Sequence, residues 1–440
     1  MNQATTGEEK QKGQLVRGIG LFGGVLLVLN GMIGAGIFAL PPAVVERAGV
    51  LSPWLFLAAG VMIITIVLTF AELSSYFRIS GGPALYATKA FGPLTGFSTG
   101  WIYFVSRSAA IAANCHVMAI FLGAIWPWFD TDTGHSVVVV VVIVGLTLVN
   151  VVGVKGAVRA LSFFTFFKLI PLLIMILLGL QYVSPDVLFP ENLPTIDDLG
   201  GTTLLLIYAF LGFEQILIPA GETANPNKTI PNALVLTMIT TGILYFLIVL
   251  VYVSVMSDAP EGATLVDVGR KLAGPVGAIV ITLTAIFSIG GNLSSTMLAT
   301  PRLTLSLADH RLLPQWFGQI NEKYSSPANS IVFLGGVAIV LGLSGSFVRL
   351  AIATSLTRLI IYFICIAALP VIKGKADRTT IARAYKLKGG YTIPLIAGGI
   401  CLWMMSHTSA DSWKLTGILL VVGLVFYWLE QQRIKKQNAA

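Results

Sequence analysis

Long apolar runs separated by short polar, Pro-bearing or Gly-bearing breaks recur along the whole chain. Residues 53–77 include VMIITIVLTF, 136–152 open with a valine tract, and 231–256 are almost unbroken apolar. Each run approaches the roughly 20 residues that a helix needs to cross about 30 Å of hydrocarbon. The pattern predicts about twelve spans, over 17–43, 53–77, 93–124, 136–154, 157–182, 200–221, 231–256, 274–300, 328–344, 347–371, 391–409 and 412–430. A membrane barrel would show alternation in segments of roughly ten residues, which is absent. The expected fold is therefore all-α integral membrane, with 1–440 forming a single transmembrane domain.

Composition agrees with that class. Of the 440 residues, 55% are hydrophobic and only 11% are charged, against about 25% charged in soluble chains. No secretory signal peptide is expected, since the first residues are polar and the apolar stretch after Arg17 is too long for a signal core. Cys115, Cys365 and Cys401 lie far apart in apolar runs, and His116, His135, His310 and His407 are equally scattered. No disulfide spacing and no metal site follow from them, and no cofactor is expected.

The net charge of +8 invites a nucleic-acid reading, but topology explains it. With the N-terminus placed inside, 20 of the 28 Lys and Arg residues fall on the inner side. Arg47, Arg270, Lys271, Arg349 and Lys414 fall outside, and Arg107, Lys168 and Arg358 fall within spans. Basic residues concentrate in cytoplasmic loops. This predicts an inner-membrane protein with an even number of spans and both termini cytoplasmic. The longest polar connections, 183–199 and 372–390, are too short to carry a soluble domain.

Two spans contain helix-breaking sequence. The first reads Asn30-Gly31-Met32-Ile33-Gly34-Ala35-Gly36-Ile37-Phe38. Glycine costs a helix about 1 kcal/mol relative to alanine, and free backbone groups inside a membrane survive only in protein or beside a wet cavity. The sixth span reads Tyr208-Ala209-Phe210-Leu211-Gly212-Phe213-Glu214, a weaker interruption with one central glycine. Breaks at matching places in two halves of a chain point to a transporter site. A half-helix starting near Gly34 presents bare N–H groups and a partial positive charge to a carboxylate. Carbonyls freed on the preceding half-helix and at the second break can hold an ammonium. Ile33, Gly34, Ala35, Gly36 and Ile37, with Gly212, thus form a candidate receptor for an amino acid zwitterion. The bland alternative is close helix packing through small residues.

These residues also carry a family resemblance. Gly31–Phe38, Glu72-Leu73-Ser74-Ser75 with Ser80-Gly81-Gly82-Pro83 and Tyr86, Phe210–Glu214 with Glu222–Pro231, and Arg302 with Asp309 and Leu313-Pro314 occur in order along the chain. In this the sequence resembles the amino acid–polyamine–organocation (APC) superfamily of permeases. The resemblance implies two inverted five-helix repeats (17–182 and 200–371), discontinuous first and sixth helices, and a terminal helix pair (391–430). It also implies that Tyr208 covers the substrate, with Phe210 as a neighbouring candidate. The sequence departs from the family pattern at Glu222-Thr223 and at Asp309-His310-Arg311.

Lys168 lies roughly 17 Å into the fifth span at about 1.5 Å per residue, too deep for easy snorkelling. Ionisable residues at such depth are functional candidates, and burial disfavours a charged amine. A lysine poised to lose a proton could brace the first helix in one state and release it in another, as bound sodium does in related folds. The resemblance supports a proton-coupling lysine at this place; the alternative is a structural lysine held by carbonyls. Arg107 and Arg358 stay charged and are expected to pair with Glu214 or a carbonyl, or to touch an anionic part of a substrate. Glu214 is a candidate gate, pairing partner or proton site, and Glu72 a loop anchor. Ser294 and Ser295 could line a sodium site, which a Lys168 ammonium would exclude.

The expected function is alternating-access transport of an amino acid, proton-coupled or by exchange, with lipid and a proton as the other partners. Three deep cations against one deep acid disfavour a polyamine. A neutral amino acid is favoured, and an acidic one follows if an arginine faces the pocket. No P-loop, nucleophile–base pair or added soluble domain supports an ATP-driven pump, an enzyme or a sensor.

Overall fold

The computed structural model describes residues 17–188, 202–203, 206–256, 262–344 and 347–439. Lys10, Lys12, most of the 183–199 connection and the first residues of the sixth predicted span lie outside the described residues. Within them the chain is helical, and its extended pairings are isolated bridges such as Ile19 with Thr223. Eight helical stretches are long and apolar enough to cross a membrane, and three shorter apolar helices accompany them. The protein is an all-α, multi-span membrane bundle.

The first run of helices comprises α1 (Leu21–Met32), α2 (Gly36–Ala48), α3 (Ser52–Ser75), α4 (Gly82–Phe91), α5 (Pro93–Gly123), α6 (Asp132–Val151) and α7 (Val154–Gly179). The second comprises α8 (Pro226–Val255), α9 (Leu265–Asp309), α10 (Ala328–Ser344), α11 (Phe347–Lys375), α12 (Thr392–Ser406) and α13 (Ala410–Ala439). The first predicted span is divided between α1 and α2. The sixth is helical over 206–209 and then passes into 3-10 turns at Phe213–Leu217 and Ala220–Glu222. That second interruption is longer than one glycine suggested.

At 45 residues, α9 exceeds a single crossing. It contains a break at Ala273 (φ −140°, ψ 22°) and Gly274 (φ 63°, ψ −153°), just before Pro275. Glycine accepts that positive φ without a side-chain clash. The membrane-crossing part therefore begins where the apolar pattern placed it.

Burial sorts the helices by position. The discontinuous α1 is buried over most of its length and packs on α7, α8 and α9. Helix α8 lies along α3, and α5 touches α9, α10 and α11. By contrast, α7 turns Phe166, Leu173 and Leu177 outward, and α13 exposes Val421, Phe426 and Trp428. Without competing water in hydrocarbon, such apolar faces suit lipid contact.

Two polar ties hold the loops at one end of the bundle. Glu72 takes Lys373 Nζ at 2.9 Å and the Leu387 amide at 3.3 Å, while Ser75 Oγ takes the Tyr385 amide at 2.9 Å. These contacts anchor the connection after α11 against the end of α3. Arg302 donates to both carboxylate oxygens of Glu222, at 2.7 and 3.2 Å, and the pair is fully buried. The same Glu222 accepts the Ile19 amide through its carbonyl at 2.9 Å. The chain entry to α1 is thus fastened to the segment after the second break.

Candidate functional site

Helix α1 ends at Met32, and Ile33 leaves helical geometry at φ −83°, ψ 91°. The carbonyls around this break have side-chain partners. Lys168 Nζ, fully buried, donates to Ile33 O at 2.9 Å. Ser288 Oγ lies 3.1 Å from both Ile33 O and Gly34 O, and Asn292 Nδ2 reaches Gly31 O at 2.6 Å and Asn30 O at 3.2 Å. Tyr245 Oη stands 3.3 Å from Met32 O and 3.2 Å from Ala209 O. A hydroxyl carries one proton, so Ser288 and Tyr245 each serve two carbonyls in alternation.

The amides across the break differ. Those of Ala35, Gly36 and Ile37 have no acceptor among the described residues. They are orphan donors of the first turn of α2, where the helix dipole is positive. Ala35 and Gly36 are half-buried, whereas Ile33, Gly34, Ile37 and Phe38 are buried. The carbonyls of the preceding half-helix, expected to be free for an ammonium, are instead occupied by Asn292 and Tyr245. At the second break, Phe210 O and Leu211 O accept no hydrogen bond among the described residues.

Gly212 turns the second break with φ 114°, and it meets Gly31 backbone to backbone. Glu214 Oε2 accepts the Gly212 amide at 3.0 Å and the Tyr362 hydroxyl at 2.6 Å. Gln215 Nε2 donates to Thr296 at 3.2 Å, and the single Ser295 hydroxyl proton serves either Gln215 Oε1 or, at 2.8 Å, Leu27 O. Arg107 Nη2 donates to the same Thr296 hydroxyl. The polar side chains of α5, α9 and α11 therefore converge on the place where the two breaks touch.

Most predicted residues gather here, with differences in detail. Glu214 forms no ion pair with Arg107 or Arg358 within 4.0 Å among the described residues. Tyr208 is 40% exposed, while Phe210 is fully buried with its ring 5.1 Å from that of Tyr245. Ser288, not Ser294 or Ser295, faces the first break. Ser294 Oγ has no partner among the described residues. Among the described residues no cluster of His, Cys, Asp or Glu could hold a metal ion.

Sequence reasoning missed Tyr245, Ser288, Asn292, Gln215 and Tyr362. A signal existed for several of them. Ser288, Asn292 and Thr296 repeat every fourth residue, as do Tyr103 with Arg107 and Arg358 with Tyr362. Such spacing puts each set on one helix face. A polar stripe inside an apolar span then marks the face turned to other helices.

The amino acid permease family model matches residues 19–434. The chain belongs to this family. Curated relatives from Bacillus subtilis (strain 168) align nearly end to end. A methylthioribose transporter is 25% identical, covering 98% of this chain and 96% of the relative. The serine/threonine exchanger SteT is 25% identical over 95% and 98%, and the branched-chain amino acid permease BcaP is 23% identical over 99% and 96%. These relatives are transporters, and the permease is likewise a membrane carrier and not an enzyme. The cargoes in their names differ, so kinship gives the class of protein without the cargo.

Proposed function

We propose that this permease is a secondary active transporter that carries an amino acid across the cytoplasmic membrane by alternating access, with a proton as coupling ion. One observation carries the reading: at the first break the carbonyls are tied to side chains, while the amides of Ala35, Gly36 and Ile37 have no acceptor among the described residues. Three converging N–H groups at a helix N-terminus suit the α-carboxylate. The carbonyls of Phe210 and Leu211 suit the α-ammonium, and Gly34 and Gly212 keep the backbone close enough to receive it. Tyr208 covers the substrate, with Phe210 supporting it from behind. About twelve spans in two inverted five-helix repeats plus a terminal pair, with both ends cytoplasmic, would place both breaks near the midplane.

Lys168 is the proposed proton carrier. Its bond to Ile33 O holds the break from α7, where an ammonium donates strongly. Loss of the proton leaves a weaker donor, and the break is then freer to move. The test is uptake of radiolabelled amino acids into proteoliposomes containing the purified chain. Uptake that rises when the outside is acidified, at fixed sodium, supports both transport and coupling. Failure of the whole panel of common amino acids to accumulate or exchange would sink the transport reading; dependence on sodium instead would sink only the coupling.

A further inference from the structure

Beside the breaks lies a charged cluster whose parts do not balance. Arg107 on α5 and Arg358 on α11 are buried, and the Nε of each has no acceptor among the described residues. Glu214 is the buried acid nearby; its Oε2 is engaged by Tyr362 and the Gly212 amide, and its Oε1 has no hydrogen-bond partner among the described residues. The Tyr103 hydroxyl, one helical turn before Arg107 on α5, is likewise buried with no hydrogen-bond partner among the described residues. Two guanidinium groups against one carboxylate leave a net positive charge away from water. Buried charge without a partner is costly, so the arrangement is built for an anion that arrives with the ligand.

Position ties this cluster to the proposed receptor. Arg107 shares Thr296 with Gln215, and the Gln215 side chain stands about 3.1 Å from where a β-carbon of Gly31 would lie. Arg358 lies one helical turn before Tyr362, whose hydroxyl donates to Glu214 at 2.6 Å beside the second break. The zwitterion's own carboxylate is already matched by the amides of α2. We infer that the substrate carries a second anion, a side-chain carboxylate held between Arg107 and Arg358, so that the cargo is an acidic amino acid. This rests on the proposed function and narrows it from the neutral substrate that charge counting alone favours. Guanidinium is the side chain best matched to a carboxylate, through paired N–H donors. A cationic side chain would be repelled, and a neutral one would leave the excess charge unmet.

The test is uptake of labelled glutamate, aspartate, glutamine and leucine by the full chain in proteoliposomes, in chloride and in gluconate. Glutamate or aspartate uptake is expected, blocked by excess of either acid and not by glutamine. Arg358→Gln and Arg107→Gln should each lower acidic uptake by about ten- to a hundredfold, the usual scale for a lost charged hydrogen bond, and narrow the preference for the dicarboxylic acids over glutamine. Acidic uptake unchanged in both variants overturns the inference. So does wild-type uptake of a neutral amino acid that the dicarboxylic acids do not inhibit, or that requires chloride; the transport reading survives both. No amino acid uptake at all removes both readings. Should a glutamine variant fail to fold, Arg358→Lys and the wild-type competition pattern decide the matter.

Discussion

A β-carbon built on Gly212 would stand 2.1 Å from the carbonyl oxygen of Gly31, and one built on Gly31 would stand 2.5 Å from the carbonyl oxygen of Gly212. The two breaks therefore touch through bare backbone, and neither position has room for a methyl group. Gly212 also holds φ 114°. Gly212→Ala combines a steric clash with a strained backbone, together roughly 2–4 kcal/mol. The variant should lose uptake and melt earlier in detergent. A Gly212→Ala protein with wild-type uptake would show that the contact is dispensable.

Lys168→Ala removes the donor to Ile33 O and leaves Ser288 as the remaining side-chain partner of that carbonyl. Uptake in the variant is expected to be slower and indifferent to a pH gradient, because the group that exchanges a proton is gone. Counterflow with substrate on both sides should suffer less than gradient-driven uptake. If the variant still accumulates substrate against its gradient in response to external acid, the coupling group lies elsewhere.

The spans and the first break were legible because apolar run length and clustered glycines act locally. The second break was underread. Its single Gly212 is a small signal, whereas the 3-10 path over Phe213–Leu217 depends on contacts from distant helices, such as Tyr362 to Glu214. Lys168 stood out since a lone cation in an apolar run is conspicuous. Asn292 and Ser288 did not, because serine and asparagine in a span usually bond within their own helix. Here they cross over 250 residues of sequence to cap Gly31, Ile33 and Gly34. The hydroxyl and amide donors that meet Glu214 Oε2 were likewise invisible to charge counting.

Glu222 and Arg302 offer a test of the loop tie. Both side chains are fully buried in a two-pronged ion pair. Removing one charge strands the other, a loss of about 3–5 kcal/mol. Glu222→Gln and Arg302→Met should each lower the melting temperature sharply. The double variant should lose less than the two separate losses combined, since it strands no charge. Additive losses would mean that the two side chains do not meet in the folded protein.

Tyr245 joins the two breaks by a different route. Its hydroxyl lies within reach of Met32 O in the first and Ala209 O just before the second. Its ring packs 6.1 Å from Phe56 and 5.1 Å from Phe210. Tyr245→Phe keeps that packing and deletes only the donor. Two buried carbonyls then share no proton from α8, at a cost of about 1–3 kcal/mol. Because the lost bond links moving parts, its effect should depend on the state of the carrier. A state that keeps both carbonyls beside Tyr245 is weakened, while one that separates them loses nothing. The variant should therefore show a lower melting temperature together with an altered ratio of inward to outward transport. A fall in stability with the directional ratio unchanged would make Tyr245 a passive strut, bonded alike in every state.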